Sequence, residues 1–338
     1  MDRPLRWGIL GTGNIARQFA EGMPTARHGI VTAVGSRNAA SAQAFATAYK
    51  IPVALGSYEE LIRSPQVDAI YLSLPNSMHG QWTIAALRAG KHVLCEKPLA
   101  RDACEAETMF DEARQAGRLL MEAFMYRCHP QTRAVVDAVK SGAIGEVRLI
   151  RTSFCYRTRV IDGNIRFSRE LAGGAMMDIG CYCVNFSRLI AGAEPTQIHA
   201  IGQLHESKVD VSASGVMDFP GGIEATFACG MDIQANNAAS ICGTEGYIEI
   251  PVPWKPPVQD AIWILGRSTP PRQDAGNSKV APPTETFKTT ADVALYALEA
   301  DEFALAALKG APLPVTETDT LGNMRVLDTI RGQIGVEF

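Results

Sequence analysis

The chain has 338 residues, 46% hydrophobic and 20% charged, and carries a net charge of −4 from 32 basic and 36 acidic side chains. That length favours two domains over one, and the charge balance excludes a broad nucleic-acid footprint, which needs a basic surplus. No run approaches the ~18 apolar residues of a membrane span, no leader pattern is visible, and the eight cysteines form no C-x-x-C pair of a structural zinc site, so a reduced, cytoplasmic protein without a metal is expected.

Residues 6–10 read as a first buried strand, and Gly11-Thr12-Gly13-Asn14-Ile15-Ala16 follows at once. A helical pattern then sets Ile15, Phe19 and Met23 on one face. G-x-G-x-x-A between a strand and a helix is the dinucleotide fingerprint. Gly11 permits the tight turn, Gly13 lets backbone approach a pyrophosphate, and Ala16 lets the helix pack close. The N–H groups around Asn14 and Ile15 then face the phosphates.

Residues 30–34 form the second strand, and Ser36 and Arg37 follow where an NAD site usually carries an acid. Without that acid, and with a guanidinium suited to a 2′-phosphate, the expected cofactor is NADP in preference to NAD. A helix over 39–49, a short strand over 51–54, a helix over 58–62 and a buried strand over 67–74 come next. Asn76 is placed to cap a helix running to Ala89, which Gly90 ends.

Residues 93–95 are a strand, and Glu96, Lys97 and Pro98 lie just past its C-terminal end, where open α/β sheets bind ligands. A helix over 102–116 and a strand over 119–121 complete an alternation that predicts a doubly wound parallel sheet. The cofactor-binding domain is therefore expected over 1–124, and a substrate-binding and oligomerisation domain over 125–338.

The second half begins with a helix over 131–140 and a strand over 147–156. A helix over 175–191 follows an irregular stretch. Strands over 197–204, 212–219, 223–229, 238–242, 247–250 and 261–265 predict a large, mainly antiparallel sheet. Proline-rich segments over 251–257 and 269–283 are loops. Helices over 293–309 and 319–334 end the chain and cannot obviously cover the whole sheet, so a homodimer or homotetramer is expected.

Asp178 and Tyr182 are four residues apart and so share a helical face. Ala172-Gly173-Gly174 before them would let backbone approach a ligand. In hydride chemistry the nicotinamide does the redox step and the protein handles one proton. Lys97 would polarise the substrate oxygen and favour a Tyr182 phenolate, while Asp178 accepts from a substrate hydroxyl. Arg127 and His129 are candidates for contact with the nicotinamide or the substrate, with a packed interdomain role as the equal alternative. Arg166 is a further candidate for substrate contact, in an arginine-rich loop with Arg157, Arg159 and Arg169 that could instead be solvated.

The chain resembles the family of glucose-fructose oxidoreductase, inositol dehydrogenase and the MocA proteins. The resemblance rests on Gly11-Thr12-Gly13-Asn14-Ile15-Ala16, Pro75-Asn76-Ser77-Met78-His79 and the run from Ala89 through Glu96-Lys97-Pro98. The runs 121–130 and 173–182 are similar to the branch of dimeric dihydrodiol dehydrogenase and NADP-dependent D-xylose 1-dehydrogenase. The resemblance implies a Rossmann domain followed by an open-faced α/β domain used for assembly. It implies that Lys97 is catalytic, that Lys97-Pro98 is a cis bond, and that Tyr182 is the acid/base where inositol dehydrogenase has histidine. It also sets Asp178 in the substrate site and Asn76, His79 and Glu96 near the cofactor. The expected substrate is a sugar, polyol or cyclic diol. A non-catalytic NAD(P)-binding redox sensor on the same fold is the alternative.

Overall fold

A computed structural model describes residues 3–267 and 283–338. Apart from Pro283, the loop expected over 269–283 lies outside the described residues.

The first part alternates strands and helices: β1 (Leu5–Leu10), α1 (Asn14–Gly22), β2 (Gly29–Gly35), α2 (Ala39–Tyr49), β3 (Val53–Leu55), α3 (Tyr58–Arg63), β4 (Ala69–Leu72), α4 (His79–Arg88), β5 (His92–Glu96), α5 (Ala103–Ala116) and β6 (Leu120–Ala123). All pairs in this sheet are parallel, in the order β3-β2-β1-β4-β5-β6. Helices on both faces bury the strands, which is why β4 is apolar throughout and wholly buried. The strand order reverses between β1 and β4, and the crevice at their C-terminal ends is where such sheets take ligands.

The second part holds α6 (Pro130–Lys140), β7 (Val147–Cys155), α7 (Cys181–Ala191), β8 (Gln197–Leu204), β9 (Asp210–Phe219), β10 (Ile223–Gly230), β11 (Ala239–Gly243), β12 (Gly246–Ile250), β13 (Ala261–Arg267), β14 (Thr284–Thr289), α8 (Leu295–Lys309) and α9 (Glu317–Ile334). Its eight strands run in the order β14-β13-β12-β11-β7-β10-β9-β8. The β7–β10 pair is parallel and the other pairs are antiparallel.

Helix α8 returns to the first sheet. Its Phe303 packs 5.3 Å from Trp7 of β1, and Trp7 in turn meets Phe19 of α1 at 5.7 Å. Asp301 on the same helix accepts hydrogen bonds from the backbone N–H groups of Arg27 and His28, at 2.8 and 2.7 Å. Helix α9 packs on β8, α5 and α7. The outer face of β8 and β9 stays open, and Ile201 and Val216 stand there 76% and 47% exposed.

Three local expectations are corrected. Asn76 does not cap a helix through its side chain. It opens a 3₁₀ turn, Asn76–Met78, and its amide donates to the Ala172 carbonyl at 2.8 Å. The helix expected over 175–191 begins as a π-helical turn, Met176–Gly180, before α7. Strand β14 was not anticipated, because its Thr-Glu-Thr-Phe-Lys-Thr sequence is polar apart from Phe287, which stacks on Trp263 at 4.1 Å.

Candidate active site

The turn after β1 makes the floor of a long groove. Gly11 takes φ +108°, and a side chain there would also press on Ser73 and Leu74. Gly13 has open space in front of it and caps α1 without a side-chain bond, so the first N–H groups of that helix are left for a ligand. The groove holds about 870 Å³ and runs from Gly11, Gly13, Asn14 and Ile15 to Ser36, Arg37 and Tyr58. Ser36 is buried at its wall, while Arg37 is exposed and forms no ion pair among the described residues.

Asn14, Ile15 and Arg166 line both this groove and a second cavity of about 310 Å³, so the two are continuous. Lys97, Asp178 and Tyr182 line that inner cavity together with Gln18, Phe154, Tyr156, Lys255 and Tyr296. The structure thus brings Lys97, from the end of β5, to the residues of the π turn and α7.

Lys97 follows β5 directly, and the bond to Pro98 is cis. Its Nζ donates to the Asp178 carbonyl oxygen at 2.7 Å and lies 3.6 Å from Asp178 Oδ1. The same Nζ sits 5.2 Å from the centre of the Tyr182 ring. Burial works to lower the Lys97 pKa, but the Asp178 charge opposes it and the net shift is upward. The lysine is a stable cation.

Asp178 Oδ2 accepts from Tyr156 Oη at 2.5 Å and from Arg166 Nε at 2.8 Å. Burial would raise its pKa, yet Lys97, Arg166 and the Tyr156 hydroxyl together hold it down at about 2. Arg166 is therefore an ion-pair partner of Asp178 as well as a cavity residue. Asp178 owes its place to the turn before it. Gly173 packs against the Arg166 carbonyl, and Gly174, at φ +112°, packs against Asp210, whose Oδ2 accepts from Met176 N at 2.7 Å. These glycines admit protein backbone and a carboxylate, which corrects the expectation that they admit a ligand.

Tyr182 is buried among Phe124, Tyr126, Phe154 and Trp254, with ring centres 5.3 to 6.0 Å away. Its hydroxyl donates to Met125 Sδ at 3.4 Å. Burial, with Glu96 adding to it, pushes its pKa well above the usual phenol value. The phenolate anticipated from the Lys97 charge is therefore replaced by a neutral phenol, a proton donor.

Other candidates stand behind the site. Glu96 is buried, accepts from Tyr71 Oη at 2.5 Å and meets the Lys97 backbone N–H at 3.3 Å. His79 is fully buried, and its two ring nitrogens face the Pro98 and Leu74 carbonyls at 2.9 and 2.8 Å. Both shape the Lys97-Pro98 loop and line neither cavity. Arg127 reaches Asn185, the Pro314 carbonyl and Asp319, whereas His129 caps α6 through Gln131 N. Those two are tied to packing between elements, the alternative role held open for them, and line neither cavity.

Gln18, Tyr156, Lys255 and Tyr296 were missed. Gln18 had a signal, standing one helical turn beyond Asn14 on the same face. Lys255 follows Trp254 in a proline-rich loop, where no periodicity marks a direction.

The fold and this site define a Rossmann-fold oxidoreductase. The model of the oxidoreductase family with an NAD-binding Rossmann fold matches residues 5–124, and the GFO/IDH/MocA C-terminal domain matches residues 132–249. The chain belongs to the GFO/IDH/MocA family of oxidoreductases. It is 36% identical to "Uncharacterized oxidoreductase ORF334" of Rhizobium meliloti, over 97% of this chain and 96% of that protein. It is 32% identical to human trans-1,2-dihydrobenzene-1,2-diol dehydrogenase, over 99% of this chain and 98% of that one. Among solved structures, KijD10, a 3-ketoreductase from Actinomadura kijaniata in complex with NADP and TDP-benzene, superposes with a TM-score of 0.86 at 31% identity, covering 98% of each chain. The aldose-aldose oxidoreductase of Caulobacter crescentus superposes with a TM-score of 0.86 at 26% identity, over 98% of this chain and 97% of that one. No helix among the described residues is long and apolar enough to cross a membrane.

Proposed function

We propose that this chain is an NADP-dependent dehydrogenase or reductase acting on a CH–OH carbon of a sugar, polyol or cyclic diol. One observation carries the reading. The Lys97 ammonium, held 3.6 Å from Asp178 Oδ1 and 5.2 Å from the Tyr182 ring, faces a cavity that opens into the dinucleotide-sized groove. In this reading residues 1–124 bind the cofactor, and residues 125–338 bind substrate and mediate assembly.

The groove fits a dinucleotide. Its glycine floor, its uncapped helix N-terminus and the exposed Arg37 guanidinium are the groups such a ligand needs. Gly11, Gly13, Asn14 and Ile15 would hold the pyrophosphate, and Ser36 and Arg37 the adenosine 2′-phosphate. The bound nicotinamide supplies or accepts the hydride.

The chain's own residues handle charge and proton. Lys97 donates to the substrate oxygen and stabilises it as it becomes alkoxide-like. In reduction, the neutral Tyr182 phenol gives its proton to that oxygen and becomes phenolate; in oxidation the phenolate, formed by prior loss of that proton to solvent, takes the proton from the substrate hydroxyl. Asp178 keeps Lys97 charged and aimed. The dihydrodiol dehydrogenase, ketoreductase and aldose-aldose oxidoreductase names of the relatives support the CH–OH class.

The test is turnover of NADPH with ketoses and aldoses, and of NADP⁺ with sugars and diols. Turnover with one such substrate is expected. Tight NADPH binding with no turnover across the panel would move the protein to the redox-sensor reading.

A further inference from the structure

The inner cavity carries more positive charge than hydride transfer needs. Lys97, Arg166 and Lys255 all line it, and Asp178 is the acid among its lining residues. Both oxygens of Asp178 are engaged, Oδ1 by Lys97 and Oδ2 by Arg166 and Tyr156. Asp178 and Glu96 act on Lys255 only through space, with no hydrogen bond or ion pair to it among the described residues. The carboxylate of Glu96 faces Tyr71 and the Lys97 backbone.

Lys255 stands at the exposed rim of this cavity, on the loop between β12 and β13. Its Nζ donates to the neutral amide oxygen of Gln18 at 3.1 Å, and Tyr296 Oη donates to the same oxygen at 3.3 Å. Lys255 forms no ion pair among the described residues. An ammonium has three donors, so two remain for a ligand. Partial burial, then the nearby Lys97 charge, holds its pKa below the usual lysine value. An anion placed between the two ammonium groups would relieve that repulsion. Lys255 lines the inner cavity and is absent from the walls of the long groove, so its open donors serve the substrate end of the site.

We propose that Lys255 is a specificity residue that binds an anionic substituent of the substrate, so that the preferred substrates are hydroxy or keto compounds bearing a carboxylate, as in a sugar acid. The proposal rests on reading the inner cavity as the substrate site. A carboxylate on Lys255 adds an opposite charge to the hydrogen bond, whereas a neutral hydroxymethyl group accepts from the ammonium without one, a difference of about 10-fold or more in affinity.

The test is equilibrium binding of D-glucuronate and D-glucose to the NADP⁺-loaded protein by calorimetry, in wild type, Lys255→Gln and Lys255→Arg, with the NADP⁺ dissociation constant measured for each. The expected result is tighter binding of glucuronate in wild type by about 10-fold or more. The acid-to-neutral ratio should collapse towards one in Lys255→Gln and persist in Lys255→Arg. Equal affinity for the two sugars in wild type overturns the proposal. So does a Lys255→Gln variant that weakens NADP⁺ while leaving the sugar ratio intact, which would assign the lysine to a cofactor phosphate. Because binding is read without turnover, a selective but inactive protein would support the anionic subsite and defeat the hydride-transfer reading alone.

Discussion

Lys97 Nζ lies 3.6 Å from Asp178 Oδ1 and donates a 2.7 Å hydrogen bond to the carbonyl oxygen of the same residue. One residue thus offers the lysine both a charge and a dipole. The pairing holds the Lys97 pKa up despite burial and, with Arg166 and Tyr156, holds Asp178 down at about 2. The sign follows directly. A carboxyl whose folded pKa is depressed contributes stability above its unfolded pKa and loses it as pH falls through the folded value. The contribution is on the order of 2 kcal/mol and should disappear only as pH falls from about 4 towards 2.

Asp178→Asn should therefore lower the Lys97 pKa. The alkaline limb of the kcat/KM profile moves to lower pH, and the rate at mildly alkaline pH falls by about 10-fold or more, as expected for a lost charge-assisted bond. A pH–rate series on both proteins checks this. An unshifted alkaline limb would remove Asp178 as the group that holds the Lys97 charge.

In the proposed function Arg37 and Ser36 carry a preference for NADP. An exposed guanidinium with no acid partner among the described residues should favour the 2′-phosphate of NADP by about 10- to 150-fold over NAD. Arg37→Ala should weaken NADP by that factor and leave NAD nearly unchanged. Fluorescence titrations with both reduced cofactors measure it, and an equal loss for both would mean that Arg37 supports the adenine pocket instead.

Glu122 predicts a stability change in the opposite direction to Asp178. It is fully buried; its Oε1 accepts from Leu99 N at 3.0 Å, and its Oε2, with the Thr320 side chain nearby, makes no hydrogen bond of good geometry among the described residues. Burial pushes its pKa up to about 7. An acid whose folded pKa is raised stabilises the fold fully below its unfolded pKa of ~4.3, and that stability is lost as pH rises through the folded value. Glu122→Gln keeps the acceptor and removes the titration. The difference in Tm between variant and wild type should shift in favour of the variant between about pH 4 and 7 and level off above that. A constant difference over that range would contradict the account.

The open face of β8 and β9 predicts assembly. Ile201 is 76% exposed midway along the edge strand β8, on a sheet face that the terminal helices leave bare. We expect a homodimer or homotetramer through this face. Ile201→Glu should shift the species seen by light scattering towards monomer. A wild-type monomer at micromolar concentration would count against it.

Much of this architecture could be read from the sequence because its signals are local. Alternating buried runs and glycine-marked turns gave the first sheet, since each parallel strand is apolar on both faces. Gly11-Thr12-Gly13 and Lys97 were found because the end of a strand is itself a location in this fold. Asn76 shows where local reasoning fails: its amide had a tertiary acceptor, Ala172, that outweighed the cap. The π turn at Met176–Gly180 breaks the 3.6-residue period from which the shared face of Asp178 and Tyr182 was argued. Arg127 and His129 have the chemistry of a site, yet partners far along the chain, Pro314 and Pro257, hold them elsewhere. Lys255 is the converse, an unremarked loop lysine that the fold carries to the cavity.

The measurement that bears most directly on the central claim is the single-turnover rate of Tyr182→Phe and Lys97→Ala with a turned-over substrate, alongside NADPH binding to each. The account predicts a fall of about 10²-fold or more in each variant, with NADPH affinity in Tyr182→Phe close to wild type. A Tyr182→Phe variant that turns over at nearly the wild-type rate would contradict it.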